Sequence, residues 1–294
     1  MGIFLNAARP VSLSAIGCEL SYRSPLTAYY SLLTTYHFSV LALCLSSFTG
    51  MVHTTKGIVL RTVSYGETSM IVSLYTELFG LQSYIVNGIR TSKKTTVKNN
   101  LFQPACILAM EVYHNDLKNL QRIKEARWHY LYRDIFFSIP KNMVALFMTE
   151  LLQKTIRQPE HNPNLFDFIE DAYIQLDKAD TKVTAAYPLF FALKLTSFFG
   201  FGIRDDYTLS GNILDLREGG FVKHLPEHPY YLEEPASAAV SQLLKVMQPE
   251  ELRYTVLSPA ARRRMLESIL QFYALHIQDF GVMKSLPVLQ AILS

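Results

Sequence analysis

At 294 residues, 49% of them apolar and 18% charged, the chain can bury a large core and is too hydrophobic for disorder to dominate. Its formal charge of +3 is unevenly spread: residues 51–130 hold ten Lys/Arg against five Asp/Glu, net +5, and residues 131–294 hold sixteen against nineteen, net −3. Three scattered cysteines, Cys18, Cys44 and Cys106, exclude a disulfide framework and a CxxC metal knuckle, which fits a reducing, cytoplasmic setting. A basic half beside a mildly acidic one points to one half meeting a polyanion, against the plainer reading of two solvated surfaces.

Residues 1–50 contain one acid, Glu19, and two bases, Arg9 and Arg23, with no sustained period. Ser39–Phe48 has the apolarity of a signal peptide but begins too far from the N-terminus and lacks a basic lead. The expectation is an upstream extension with Met51 as the natural start; a membrane-targeting leader is the alternative.

From Lys56 the pattern alternates. Lys56–Val63 places Ile58 and Leu60 on one face and Val59, Arg61 and Val63 on the other. Met70–Thr76 groups Met70, Val72 and Leu74, with Ser73 and Tyr75 opposite. Gly66 and Gly80 suit the turns on either side, and Leu81–Asn87 follows as a third strand. Ala105–Tyr113 and Leu120–Arg127, joined by a turn at His114–Asp116, complete five strands. A small antiparallel barrel closes five strands without leaving an edge, and an SH3-like barrel meets the same pattern.

Between the third and fourth strands, Gly88–Phe102 carries Arg90, Lys93, Lys94 and Lys98 and no carboxylate. Phosphate contacts would relieve their mutual repulsion; a solvated loop is the alternative. Arg61, Arg122 and Lys124 add charge on the strands. Tyr65, Tyr75, Tyr84 and Phe102 offer either stacking platforms for unpaired bases or ordinary packing.

After Trp128 the period becomes helical. Helices are predicted over Asn142–Gln158, Asn164–Asp177 and Thr184–Phe199, the last stopped by Gly200 and interrupted by Lys194, a core helix rather than a membrane span. Asp205–Glu234, with five Gly/Pro, reads as loops with at most short strands. A final helix starts at Ser258 with Pro259 in its first turn and runs to Phe280-Gly281. Its first turns hold Arg262, Arg263 and Arg264, where the helix dipole disfavours cations. These either await an acidic partner or pair with Glu250, Glu251 or Glu267.

Enzyme signatures are missing: there is no phosphate loop, GxGxxG, GxSxG or HExxH. Asp205-Asp206 reads as helix-end charge rather than catalysis, and His224 and His228 are too few donors for a tight metal site. The class is a non-enzymatic binding protein.

The opening KGIVLRTVSYGET, the continuation IVSLYTELFGLQSYIVNGIR with its SKK, Gln103-Pro104, Asn162–Phe166 and Phe191–Gly202 (FALKLTSFFGFG) together resemble the RecO family of DNA repair and recombination mediators. The resemblance runs from Met51 to the C-terminus. It implies an α+β architecture: a five-stranded OB-fold barrel over residues 51–130, then an α-helical domain over 131–294. It also implies binding of single- and double-stranded DNA, strand annealing, and partnership with RecR. The acidic tail of single-stranded DNA-binding protein would be contacted while the RecA recombinase replaces that protein on DNA. The family's DNA-contacting bases map onto Lys56, Arg61, Arg90, Lys93, Lys94 and Lys98. Many members carry a four-cysteine zinc site; the matching stretch here, Asp205–Phe221, has no cysteine, so no zinc and no cofactor is expected. An RNA-binding or translation-associated OB protein and a purely structural docking protein stand as rival functions.

Overall fold

The computed structural model describes residues 51–87 and 100–293. β1 (Met51–Tyr65) is long enough to pair with β4 (Ile107–His114) along its first half and with β2 (Ser69–Thr76) along its second. β2 runs antiparallel to β3 (Gly80–Val86), β3 runs parallel to β5 (Leu120–Trp128), and β5 returns antiparallel to β4. The result is a closed barrel in the order β1-β2-β3-β5-β4, with Gly66 and Gly80 both at φ +61° in its turns. Parallel closure of β3 on β5 gives the OB-fold and separates it from the SH3-like alternative.

Val59, Val72, Leu74, Tyr84, Leu108 and Met110 fill the barrel interior. A second set of strand residues, Ile58, Leu60, Tyr75 and Ile107, is buried outside it, in one apolar core with Phe147, Phe166 and other helical side chains. A β-bulge makes this possible. The β1–β2 register shifts between Val59 and Arg61, so Leu60 is an extra residue. Its side chain is buried against the helices, and its carbonyl accepts a bond from Gln153 Nε2. The bulge also changes an expectation. Strict alternation puts Val59 and Arg61 on one face, whereas the extra residue leaves Val59 inside the barrel and Arg61 exposed outside it.

Six α-helices follow: α1 (Ile139–Thr155), α2 (Pro163–Lys178), α3 (Thr181–Thr196), α4 (Ala236–Lys245), α5 (Pro259–His276) and α6 (Leu286–Ile292). α3 is buried along most of its surface, packs on α1 and α5, and ends in a short 3₁₀ turn before Gly200 at φ +77°. Lys194 fits this core helix by donating to the Leu244 carbonyl at 2.8 Å, and burial pulls its ammonium pKa below the ordinary value. Among the described residues no helix is long and apolar enough to cross a membrane.

The chain between barrel and helices is fixed by Asp177, which is 2% exposed. Its carboxylate accepts the backbone N–H groups of Arg133, Asp134 and Ile135, each at 2.9 Å. A negative charge in the last turn of α2 opposes the helix dipole, and these three donors offset it.

The region 205–234 contains a small sheet, β7-β6-β8, from β6 (Ile213–Asp215), β7 (Gly220–Val222) and β8 (Tyr231–Leu232). Asp205 accepts Ser241 Oγ at 2.8 Å, and Asp206 accepts the Phe221 amide at 2.9 Å, so both carboxylates are structural. His228 Nε2 lies 3.3 Å from Asp215, and no metal-binding cluster occurs among the described residues.

Candidate nucleic-acid interface

The outer face of β1, β2, β3 and β5 carries exposed cations, Arg61 and Arg122. Cross-strand register builds it in rows. Arg61 stands opposite Ser73, which stands opposite Ser83, which stands beside Leu120. In the next row Val63, Ile71, Ile85 and Arg122 follow one another, and Tyr113 of β4 lies across from Arg122. Tyr65 closes the edge of β1 at 54% exposed. Neither row contains a carboxylate, and no ion pair to Arg61 forms among the described residues. Exposed apolar side chains interleaved with arginines can receive base faces and phosphates together. The uncharged members Ser73, Ser83, Val63 and Ile85 escape a sequence search because they become a surface only once the bulge sets the register.

The predicted cations fall into four places. Arg61 and Arg122 lie on this face. Lys124, on the same strand as Arg122, is bonded to Glu111 at 2.7 Å; that hydrogen bond, and then the glutamate's charge, raise its pKa. Lys56 is placed elsewhere. Its Nζ lies 2.5 Å from Glu170 of α2 and 3.5 Å from Glu77, and 5.0 Å from the centre of the Phe166 ring. Partial burial opposes its charge, but the Glu170 hydrogen bond and the charges of Glu170 and Glu77 outweigh it and hold the pKa above the ordinary value. Lys56 therefore ties barrel to helix. Arg90, Lys93, Lys94 and Lys98 lie outside the described residues, as do residues 1–50, the segment expected to be an upstream extension.

Of the four stacking candidates, Tyr75, Tyr84 and Phe102 are core. Tyr75 stacks on Phe166 at 6.2 Å, and burial, then the Glu160 charge, push its hydroxyl up to about 12. Only Tyr65 of the four is on the surface. Cys106 is buried inside the barrel, where burial pushes its thiol up to about 12, so it offers no nucleophile.

The arginine triplet of α5 divides. Ser258 Oγ caps the helix on the Ala261 amide at 3.2 Å. Arg262 donates to the Leu257 carbonyl at 2.7 Å and Arg263 to the Gln290 carbonyl at 3.3 Å. Both line an apolar groove with Pro188, Leu189, Leu266 and Leu289, while Arg264 lines a different groove beside α4. Two of the three carboxylates expected as partners are engaged elsewhere, Glu251 with the Gln248 amide and Glu267 with Gln290, and Glu250 makes no ion pair with the triplet among the described residues. None of the three arginines is ion-paired among the described residues.

A family model described as Recombination protein O N terminal matches residues 51–132, and one described as Recombination protein O C terminal matches residues 137–286. The chain belongs to the RecO family. It is 34% identical to a DNA repair protein RecO of Phocaeicola vulgatus, over 83% of this chain and 100% of that one. It is also 34% identical to one of Bacteroides fragilis, over 82% and 98%. A third, from Azobacteroides pseudotrichonymphae, is 28% identical over 82% and 99%. The match places the chain among RecO-family DNA repair proteins, and the barrel described above is the part covered by the N-terminal model.

Proposed function

We propose that this protein is a non-enzymatic DNA-binding mediator of recombinational repair, acting in the cytoplasm at the nucleoid. Arg61 and Arg122 on the outer barrel face, with Arg90, Lys93, Lys94 and Lys98 from the sequence between β3 and β4, hold the phosphates of single- and double-stranded DNA and bring complementary strands together. The groove at Arg262 and Arg263 receives the acidic tail of single-stranded DNA-binding protein, and RecR acts with this protein while the RecA recombinase takes over the strand. Lys56 is left out of the phosphate set because two glutamates already hold it.

The observation that carries the reading is the carboxylate-free pair of cross-strand rows with Arg61 at one side and Arg122 at the other. Phosphate neutralisation releases counterions, so affinity should fall linearly on a logarithmic scale with salt, with a slope of about 0.7 per single-strand contact. Fluorescence anisotropy with a labelled oligonucleotide at rising salt tests this. The proposal fails if Arg61→Glu and Arg122→Glu leave the slope unchanged, and a strong preference for RNA over DNA of the same sequence would move the reading to a translation-associated protein.

A further inference from the structure

The outer face does not end at the barrel. Ser83, a member of the Arg61 row, also lines a cleft of about 490 Å³ between the β4–β5 turn, the β2–β3 turn and the loop after α1. The helical side supplies Arg157 and His161, and the barrel side supplies Lys118 and Asn119. Phe79 forms part of the wall, its ring stacked on His114 at 3.8 Å between centres.

Charge in the cleft favours an anion. Its one lining carboxylate among the described residues, Asp116, is bonded to His114 Nε2 at 2.9 Å. The Arg157 guanidinium is held by neutral groups, the Asp279 carbonyl at 2.9 Å and the Lys154 carbonyl at 3.2 Å. Those bonds fix its direction without cancelling its charge. The volume falls within the ~300–1,000 Å³ range of small-ligand sites. A base still stacked and paired in a duplex is held between its neighbours and cannot enter such a cleft.

We propose that this cleft takes one unpaired nucleotide of a strand lying on the barrel face, with Arg157 and His161 at its phosphate. The proposal rests on the barrel reading above and adds to it that the helical half contributes directly to DNA binding and selects single strands. Asn119 and His161 are exposed, so acidic replacements there leave the fold's own contacts in place.

The test compares Asn119→Glu, His161→Glu and Arg157→Gln with the native chain, using a labelled oligothymidine and a duplex of equal length across a salt series. Near-native melting temperatures show which variants fold. The expected result is at least tenfold weaker single-strand binding by Asn119→Glu and His161→Glu, a single-strand slope lower by about 0.7 for Arg157→Gln, and duplex binding within twofold of native. Unchanged single-strand binding in all three, with Arg61→Glu defective, overturns the cleft and leaves the barrel reading standing. Equal loss on both DNAs also overturns it, because the charges then act as a general field. If Arg61→Glu and Arg122→Glu are themselves harmless, the barrel reading has failed first.

Discussion

Replacing Asp177 by Ala should destabilise the protein severely without touching its DNA-binding surface. Asp177 is 2% exposed and its carboxylate accepts three backbone amides at 2.9 Å, so its removal leaves one fully buried donor, that of Ile135, and two part-buried ones, those of Arg133 and Asp134. One unsatisfied buried donor costs about 1–3 kcal/mol, and losses at one acceptor do not add fully, so about 3–5 kcal/mol is expected. For a chain of this size about 1 kcal/mol shifts the melting temperature by ~2–4 °C, which predicts a fall of roughly 6–20 °C. Asp177→Asn should recover part of the loss by keeping one acceptor oxygen. Differential scanning fluorimetry measures the shift, and single-strand binding at a temperature where the variant is folded should stay within twofold of native. A fall of less than about 2 °C would refute the reasoning that this carboxylate fixes the chain between barrel and helices.

Gly80→Ala should cost about 2 kcal/mol or more in urea unfolding, since φ is +61° and an added Cβ would sit 2.2 Å from the Glu160 carbonyl oxygen. Lys56→Met leaves the partly buried Glu170 with only His129, 3.2 Å away, as a partner; it should lower stability by about 1–3 kcal/mol yet leave the salt slope of DNA binding intact, whereas a shallower slope would return Lys56 to the phosphate set. Burial pushes the Glu150 pKa up, but bonds from Ser285 Oγ and the Lys284 and Ser285 amides outweigh it and leave it below the ordinary carboxylate value. A depressed folded pKa gives stability that is complete above the unfolded value of about 4.3 and lost as pH falls through the folded one. Native and Glu150→Gln proteins should therefore differ in urea midpoint at pH 7 and converge in acid. Reversing Arg262 and Arg263 to Glu should abolish binding of an acidic, apolar-ended peptide measured by calorimetry while oligonucleotide binding persists.

Much of the barrel is legible in the sequence because a strand has one strong signal, alternation, and Gly66 and Gly80 mark where it stops. What alternation cannot show is a bulge. Leu60 is an ordinary strand residue by type, and only the pairing partner reveals that it is supernumerary. That single residue decides whether Arg61 shares a face with Val59, and so whether there is a cationic outer row at all. Lys56 was equally opaque: its two acidic partners lie in β2–β3 and in α2, the latter 114 positions away. The long helices declare themselves through period and proline, Pro140, Pro163 and Pro259 each falling in a first turn. α4 and α6, of 10 and 7 residues, are too short for a period to emerge from loop composition. The end of α5 at His276 rather than at Gly281 reflects Ile277 turning to extended backbone.

The salt dependence of oligonucleotide binding by the native protein and by the Arg61→Glu, Arg122→Glu double variant reports directly on whether the outer barrel face holds phosphates. A steep native slope is expected, with a variant slope shallower by about 1.4 for its two single-strand contacts. Parallel salt curves for the two proteins would contradict that expectation.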